Sequence, residues 1–318
     1  MWRFVVRRLA FIPIIGIVIS AGVFMLLRAW PEVTGDPARI ICGMNCPQER
    51  YETIRETLGL DKPMVVQYFD WMKDVLTGNL GTNYYGGNDI LDEVVHRLPI
   101  SFEIMLLTLF FGGTVGITFG ILSAVMRNTP LDYGVRFLAV FGQSIPDFFL
   151  LVLLIVIPSI LWNYAAPVGG YVAPWEDPWT NFRMFVPPTL VLSVGGAAGL
   201  MRLVRSTMLE VLRSDYVRTA SAKGLHPWTV VLRHAFRNTL APIITVLTFT
   251  LTLAFSGMLI LEVVMSIDGL GAFFFRSILT RDLPVVQFIV LYTALIVVFI
   301  NLLQDVAYAY IDPRVRFR

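Results

Sequence analysis

The sequence predicts an all-α membrane protein with six transmembrane helices and with both termini in the cytoplasm. Of the 318 residues, 56% are hydrophobic, and the mean hydropathy is +0.69, which is too apolar for an ordinary soluble domain. Six apolar runs have about the 20 residues that a bilayer-spanning helix needs. These runs occupy 9–27, 101–126, 135–162, 185–203, 240–265 and 285–310.

The basic residues support this topology because they are concentrated in alternate loops, as the positive-inside rule requires of short loops. The short outer loops contain only Arg183, Arg276 and Arg281. The predicted cytoplasmic segments contain Arg3, Arg7, Arg8, Arg127, Arg136, Arg202, Arg205, Arg213, Arg218, Lys223, Arg233, Arg237, Arg314, Arg316 and Arg318. The formal net charge of only +2 gives no reason to expect a nucleic-acid partner.

The N-terminal part of the chain divides into a first span and an extracytoplasmic region. Residues 1–29 combine a basic start with an apolar run and have no small-residue cleavage site after it, so we expect an uncleaved transmembrane helix. Residues 30–100 are polar and contain two helical patterns, at 48–58 and at 60–76. Residues 101–318 then form a five-helix core.

Two cysteines, Cys42 and Cys46, lie four residues apart in the extracytoplasmic region. On that side of a membrane a disulfide between them is favoured over two free thiols. A metal site would need further ligands, and no histidine is close in sequence.

Small residues repeat at intervals of four within two of the predicted spans. Gly112, Gly116 and Gly120 share one face of the second span, and Gly195 and Gly199 are spaced in the same way in the fourth. Such a face allows another helix to approach closely.

Three acidic residues fall within or at the ends of spans. Asp147 follows Ser144 and Pro146 inside the third span, near the middle of the membrane, where a carboxylate is costly unless it faces a cavity or a partner. Since Pro146 can also open the helix, we expect these three residues to lie on a translocation path; the alternative is a carboxylate paired for packing. Glu103 and Glu262 are nearer to the outer ends of their spans, where we expect them to meet water or headgroups.

A polar, basic segment around 213–242 connects the fourth and fifth spans. Ser214 or Asp215 can cap a short helix, Gly224 can end it with a left-handed conformation, and Pro227 suits the first turn of a second helix. In that second helix an apolar stripe is expected from Trp228, Val231, Leu232, Ala235 and Phe236. On spacing alone, an ordinary basic cytoplasmic loop accounts for the segment equally well.

Part of this segment resembles a known motif. The run Tyr-Val-Arg-Thr-Ala-Ser-Ala-Lys-Gly-Leu at 216–225 is similar to the coupling loop of ABC importer permeases. Where the broad family has Glu-Ala-Ala, this chain has Arg218, Thr219 and Ala220, and Pro242 comes later than in the broad pattern. Both departures resemble the dipeptide, oligopeptide and nickel branch. Runs at 60–81, 97–103, 262–271 and 305–314 also resemble peptide-type permeases.

The resemblance implies the fold of a type I ABC importer permease, paired with a second homologous permease subunit. It also implies two ABC ATPase subunits and an extracytoplasmic substrate-binding protein in a prokaryotic inner membrane. Within the coupling loop, taken as 204–239, it implies that Asp215, Tyr216, Ala220, Gly224 and Leu225 couple the permease to an ATPase. ATP and Mg²⁺ would be bound by the ATPases, since this chain has no Gly-Lys-Ser/Thr phosphate-binding loop.

The expected function is therefore the import of di- and oligopeptides, without covalent chemistry in this chain. The same machine could instead carry nickel chelates, glutathione or oligosaccharides, because nothing in the spans separates these ligands. A channel or secondary transporter would be expected to contain inverted repeats or a charged intramembrane relay, and the sequence shows neither. A membrane hydrolase would need a catalytic motif such as Gly-Xaa-Ser-Xaa-Gly, which does not occur.

Overall fold

The computed structural model describes residues 2–30, 34–43, 45–164 and 170–311, except for the side chains of 2–10 and 256. These residues form helices joined by turns and loops. The helices are α1 (Trp2–Ala29), α2 (Pro37–Cys42), α3 (Gln48–Thr57), α4 (Met64–Leu76), α5 (Ile90–Val125), α6 (Pro130–Ser144), α7 (Asp147–Trp162), α8 (Pro178–Leu212), α9 (Asp215–Ala222), α10 (Pro227–Val264), α11 (Leu270–Thr280) and α12 (Leu283–Ile311).

The predicted six-span architecture is confirmed. Five helices are long and apolar enough to cross a membrane: α1 from Phe11, and then α5, α8, α10 and α12. The sixth span is the pair α6 and α7, which are bent by 96°. The third predicted span, 135–162, is interrupted at the position where Pro146 was expected to open the helix, because Ile145 and Pro146 both have extended backbone. A residue that precedes proline is driven out of the helical region by the proline ring, which places the break here.

The helix that contains the second span begins earlier than the predicted span. Helix α5 starts at Ile90, eleven residues before the predicted start at 101, and it contains Pro99. The carboxylate of Asp89 accepts a hydrogen bond from the backbone N–H of Leu91 at 2.7 Å, which is the bond expected of an N-cap. Residues 90–100, assigned to the extracytoplasmic region, are therefore the first three turns of this long helix.

The chain separates into two compact units. One unit contains Ser101–Asp268 and the chain from Ile300 onward, and the other contains Trp2–Ile100 with Gly269–Phe299. The second unit has its own apolar core, built from Leu80, Ile90, Val94, Leu270, Phe273, Val285 and Ile289. Cys42 and Cys46 lie in this unit and are joined as a disulfide, with Cα atoms 5.4 Å apart.

Close contact between α5 and α8 organises the first unit. The backbone of Gly116 lies against Leu200, and that of Gly120 lies against Val204. A Cβ atom added at Gly120 would be only 2.6 Å from the Val204 Cβ and 3.0 Å from the carbonyl oxygen of Met201. The four-residue spacing of glycines therefore marks the face on which these two helices meet.

Glu262 differs from the expectation of a water-facing residue. Its side chain is fully buried within the first unit, and its Oε1 accepts a hydrogen bond from the Ser101 hydroxyl at 2.6 Å. Helix α10 continues to Val264, so Glu262 is on the last turn of a packed helix rather than in the loop. Burial with a hydrogen-bond partner favours a structural role. Glu103 is half-buried and accepts a hydrogen bond from the Tyr171 hydroxyl at 3.0 Å.

Candidate functional site

Helix α9 forms the short cytoplasmic helix predicted between the fourth and fifth spans. Ser214 occupies the N-cap position but makes no side-chain cap, because its hydroxyl donates to the Val211 carbonyl at 2.5 Å. Asp215, the first residue of α9, is almost fully exposed and lies 3.6 Å from the Arg218 guanidinium. An ion pair this exposed contributes little to stability. The prediction that one of these side chains caps the helix is therefore wrong for Ser214.

The turn after α9 depends on a glycine. Gly224 has φ of +76°, and its N–H donates to the Ser221 carbonyl at 3.0 Å. Nothing lies within 4 Å of where its Cβ would be, so the requirement for glycine comes from the left-handed backbone and not from crowding. Pro227 then begins α10 at the first helical position, as predicted.

An apolar cluster attaches α9 to the two helices beside it. Val217 and Ala220 of α9 are buried against Val230 of α10, with Val211 and Leu212 at the end of α8 packed around them. The Tyr216 hydroxyl accepts a hydrogen bond from the Asn238 side chain at 2.9 Å. A displacement of α9 would therefore act directly on both α8 and α10.

The start of α10 contains a π-helical turn over Val230–Phe236. This turn changes which residues face inward: Val230, Val231 and Ala235 are buried, whereas Trp228 and Leu232 are exposed. The residues of the predicted apolar stripe are therefore divided between a buried and an exposed side, and within the turn hydrogen bonds from i to i+5 widen the helix. Such turns occur frequently at functional sites.

The coupling loop therefore has an anchored side and an open side. Residues 221–229 are exposed without interruption, and they include Gly224 and Leu225. Asp215 and Tyr216 are exposed as well. Of the five predicted coupling residues, only Ala220 is buried, and it holds α9 in place rather than presenting a surface. The open side combines apolar Leu225 and Trp228 with the basic side chains Arg218, Lys223 and Arg233.

A cleft of about 410 Å³ lies in the same unit, within the membrane-spanning part. Its wall contains Asp147, which is the first residue of α7 because the break at Pro146 ends the preceding helix. The rest of the lining comes from α5, α8 and α10 and is mostly apolar or small: Thr108, Leu192, Gly195, Gly196, Gly199, Val246, Phe249, Thr250, Leu253, Ala254, Gly257 and Ile260.

Only one of the three predicted path residues reaches this cleft. Asp147 approaches α8 closely, since a Cβ at Gly195 would lie 3.4 Å from its Oδ1. The Ser144 hydroxyl donates to the Val140 carbonyl at 2.8 Å in the last turn of α6, and Pro146 forms the break itself. The lining glycines and Thr250 had no distinctive sequence signal beyond the Gly195–Gly199 spacing.

The coupling loop and the cleft share two helices. Helix α8 contributes Gly195, Gly196 and Gly199 to the cleft and then ends at Leu212, against α9. Helix α10 starts in the coupling loop and contributes Phe249 and Thr250. The same two helices are therefore in contact with the exposed cytoplasmic surface at one end and with an intramembrane cavity further along.

A buried ion pair missed by sequence reasoning fixes α6 against α8. The Asp132 carboxylate accepts from Arg205 Nε at 2.7 Å and from Nη2 at 3.0 Å. It also accepts from the Ser123 hydroxyl at 2.6 Å and from the Asn128 N–H at 3.0 Å. A carboxylate with four donors in this geometry is fully satisfied despite its burial. From the sequence alone, Arg205 is identified only as one of the cytoplasmic basic residues.

The fold and this site define a multi-pass inner-membrane transport subunit. The chain matches the model of the binding-protein-dependent transport system inner membrane component over residues 116–317 and the N-terminal model of the same component over residues 1–105. It belongs to this family, whose members are permease components and not catalytic subunits. Among the described residues, no group of three or more His, Cys, Asp and Glu side chains is placed to hold a metal ion.

Relatives and a solved structure agree with this assignment. The chain is 34% identical over 326 residues to the oligopeptide transport system permease protein AppB of Bacillus subtilis, covering 100% of both chains. It is 35% identical over 320 residues to a Sinorhizobium fredii protein named as a probable peptide ABC transporter permease, covering 99% of each. The methionine ABC transporter MetNI, solved in inward-facing conformations, has the same fold, with a TM-score of 0.53 at 19% identity, over 69% of this chain and 96% of that one.

Proposed function

We propose that this chain is the permease subunit through which an ATP-driven importer moves di- and oligopeptides across the inner membrane. The observation that supports it best is the exposed coupling loop attached to both α8 and α10, the helices that also line the cleft. The peptide ligand is inferred from the relatives named for peptide transport, two of which match essentially the whole chain.

The proposed assembly follows from the exposed surface of the coupling loop and from the absence of a phosphate-binding loop in this sequence. The open side of the coupling loop, with Leu225 and Trp228 exposed beside basic residues, fits a groove on an ABC ATPase subunit. ATP and Mg²⁺ would be held by two such ATPases, because this sequence has no Walker-type loop. A second, homologous permease would complete the path, and an extracytoplasmic binding protein would deliver the peptide.

Within this chain, the residues have separate roles. Tyr216, Gly224 and Leu225 shape the surface that an ATPase would contact, and Asp215 contributes an exposed charge to it. Val217 and Ala220 transmit the displacement of α9 to α8 and α10 through buried contacts. Rocking of those helices would reshape the cleft, where Asp147 places a carboxylate beside the path and Pro146 fixes its position.

The coupling role is tested by changing the turn without changing the spans. Gly224→Ala must adopt a left-handed backbone, which costs an L-residue roughly 1–2 kcal/mol, and Gly224→Pro cannot adopt it at all. We expect a partial and a complete loss, respectively, of peptide-stimulated ATPase activity and uptake in the reconstituted complex. Gly78→Ala is the matched control, because Gly78 has φ of +81° and equally open surroundings but follows the C-terminal end of α4, far from the coupling loop in sequence.

The ligand is tested separately in the same proteoliposomes. Di- to pentapeptides with their binding protein should stimulate wild-type ATPase activity and accumulate inside. If a nickel chelate, glutathione or an oligosaccharide does so while peptides do not, the importer assignment stands and the peptide ligand is wrong. Uptake that proceeds without any ATPase would instead identify a channel or secondary transporter and would contradict the proposed function.

The role of Asp147 is tested by a change that keeps its shape. Asp147→Asn retains the side-chain size and removes the charge that faces the cleft, so uptake of cationic peptides should fall more than uptake of neutral ones. Ser144→Ala is the matched control, since Ser144 is bonded within α6 and is not part of the lining. Equal uptake of both peptide classes by Asp147→Asn would remove this residue from the path.

A further inference from the structure

Helix α4 packs against the first transmembrane helix, well below the end of that span. The Tyr68 hydroxyl lies 2.9 Å from the Ser20 Oγ and 3.4 Å from the Ile17 carbonyl oxygen. The Phe24 ring is completely buried, with its centroid 5.5 Å from that of Tyr68 and 5.8 Å from that of Trp71. These contacts lie within one compact unit of the fold and place α4 directly beside α1.

The position of these contacts along α1 gives the depth of α4. The apolar stretch of α1 runs from Phe11 to Ala29. At about 1.5 Å per residue, Phe24 lies roughly 8 Å and Ser20 roughly 14 Å below its outer end. Arg28, near that end, donates to the Gln67 side chain of α4 at 2.8 Å. Helix α4 is therefore held between the headgroup level and the acyl-chain level of the outer leaflet, and not in the aqueous layer above it.

The other sides of α1 at this depth are exposed on this chain. Val18 is 66% exposed and Leu26 is 59% exposed, and both belong to the membrane-spanning stretch. Exposed apolar side chains in a membrane-spanning stretch are suited to contact with acyl chains, and they lie at the level where α4 contacts α1.

Helix α4 has three distinct faces. Gln67, Tyr68, Trp71 and Val75 face the protein. A second face carries Asp70, Lys73 and Asp74, all exposed, with Asp70 paired to Lys62 at 2.8 Å. The third is an apolar stripe at i, i+4, i+7 and i+11: Val65, Phe69, Met72 and Leu76. In this stripe the exposed fraction is 58% for Val65, 64% for Phe69 and 80% for Leu76.

We propose that α4 is an interfacial helix that inserts this apolar stripe into the acyl chains of the outer leaflet. A helix with separate apolar and charged faces is the type that lies in a bilayer interface, with the apolar face buried roughly 5–10 Å below the headgroups. The depth of Phe24, roughly 8 Å, is within that range, and the Tyr68 side chain reaches deeper, to Ser20. The acyl chains that cover the stripe are those that also contact the exposed side of α1 beside it. Asp70, Lys73 and Asp74 remain in the headgroup layer.

The test measures the depth of single residues in the full-length chain. Nitroxide labels are placed on cysteines introduced at Phe69 and Leu76, with Lys73→Cys as the matched control one turn away on the charged face. The native cysteines are kept oxidised so that they do not react. The protein is reconstituted in vesicles of phosphatidylethanolamine and phosphatidylglycerol, and the accessibility of each label to oxygen and to a water-soluble nickel chelate is measured by EPR.

We expect labels at 69 and 76 to be more accessible to oxygen than to the nickel chelate, and the label at 73 to show the reverse. Equal accessibility of all three positions to the chelate would overturn the proposal, because the stripe would then lie in water. Protection of 69 and 76 that arises only after the cognate extracytoplasmic binding protein is added would also overturn it, and would assign the stripe to a protein interface. Neither outcome depends on whether the transported ligand is a peptide.

Discussion

Adding a single methyl group where α5 meets α8 should destabilise the protein. At Gly120, a Cβ would lie 2.6 Å from the Val204 Cβ and 3.0 Å from the Met201 carbonyl oxygen. Carbon atoms in favourable contact are about 3.5–4.0 Å apart, so Gly120→Ala forces the two helices apart by roughly 1 Å. Neither contacting atom is at the end of a flexible side chain, and rotamer changes therefore cannot relieve the overlap.

The expected magnitude combines two opposing terms. Overpacking of a well-packed contact costs typically 1–3 kcal/mol, whereas replacing glycine by alanine in a helix gains about 1 kcal/mol. Gly113→Ala on the same helix isolates the second term, since its Cβ would meet only the Leu247 side chain at 3.5 Å. The difference between the two variants should therefore be about 1–3 kcal/mol, with Gly120→Ala the less stable.

The assay is thermal or denaturant unfolding of both variants in detergent, followed by tryptophan fluorescence and by loss of the monodisperse peak. Wild type is measured in parallel. If Gly120→Ala unfolds at the same midpoint as Gly113→Ala, the two helices are not in the contact described, and the packing argument fails. Gly116→Ala gives an independent check, because its Cβ would lie 2.8 Å from the Leu200 Cβ.

Two further predictions concern buried carboxylates. Asp132→Asn should destabilise the chain by the lower part of the about 3–5 kcal/mol typical of a broken buried pair, because Arg205 retains some solvent access. Arg136→Gln removes a 3.7 Å contact with Asp132 and a ring contact with Tyr133, both from a partly exposed side chain, and should have a smaller effect in the same unfolding assay. Burial raises the pKa of Asp282, whose Oδ2 accepts from the Tyr84 N–H at 2.9 Å. The folded state then holds this proton more tightly than the unfolded state, so stability falls as the pH rises through and above the ordinary carboxyl pKa of about 3.9. Asp282→Asn should flatten that decline in unfolding midpoints measured across this pH range, and an unchanged slope would show that another group causes it.

Much of the fold was predictable because local rules act strongly in a membrane. Apolar length fixed the spans, and the glycine spacing at Gly112, Gly116 and Gly120 marked the helix contact that the structure contains. Gly224 and Pro227 were also predictable, since a left-handed backbone and a first helical turn each favour a particular residue. In these places the chemistry of a single residue determines its local geometry.

The failures occurred where tertiary contacts decide between allowed local structures. In the π-helical turn at Val230–Phe236, Val230 is buried, whereas Trp228 just before it is exposed. A π-helical turn contains more residues than an α-helical turn, so the α-helical period of about 3.6 does not predict which of its residues face inward. Glu262 is close to the end of its span, yet it is buried because Ser101 provides a partner 161 positions away in the chain. Such pairings depend on the assembled helices and have no signature in the neighbouring sequence.

The arrangement of α8 explains how a small cytoplasmic displacement could reach the cleft. From Leu212, next to α9, to Gly199 in the cleft wall is a distance of roughly 20 Å along the helix. Because the helix is continuous over that stretch, it would transmit a displacement rather than absorb it. It meets α5 at Gly116 and Gly120, which pack closely against Leu200 and Val204 of α8. The π-helical turn at Val230–Phe236 and Pro242 both interrupt the regular hydrogen-bond ladder of α10 before Thr250, so α10 would respond to a displacement differently from α8.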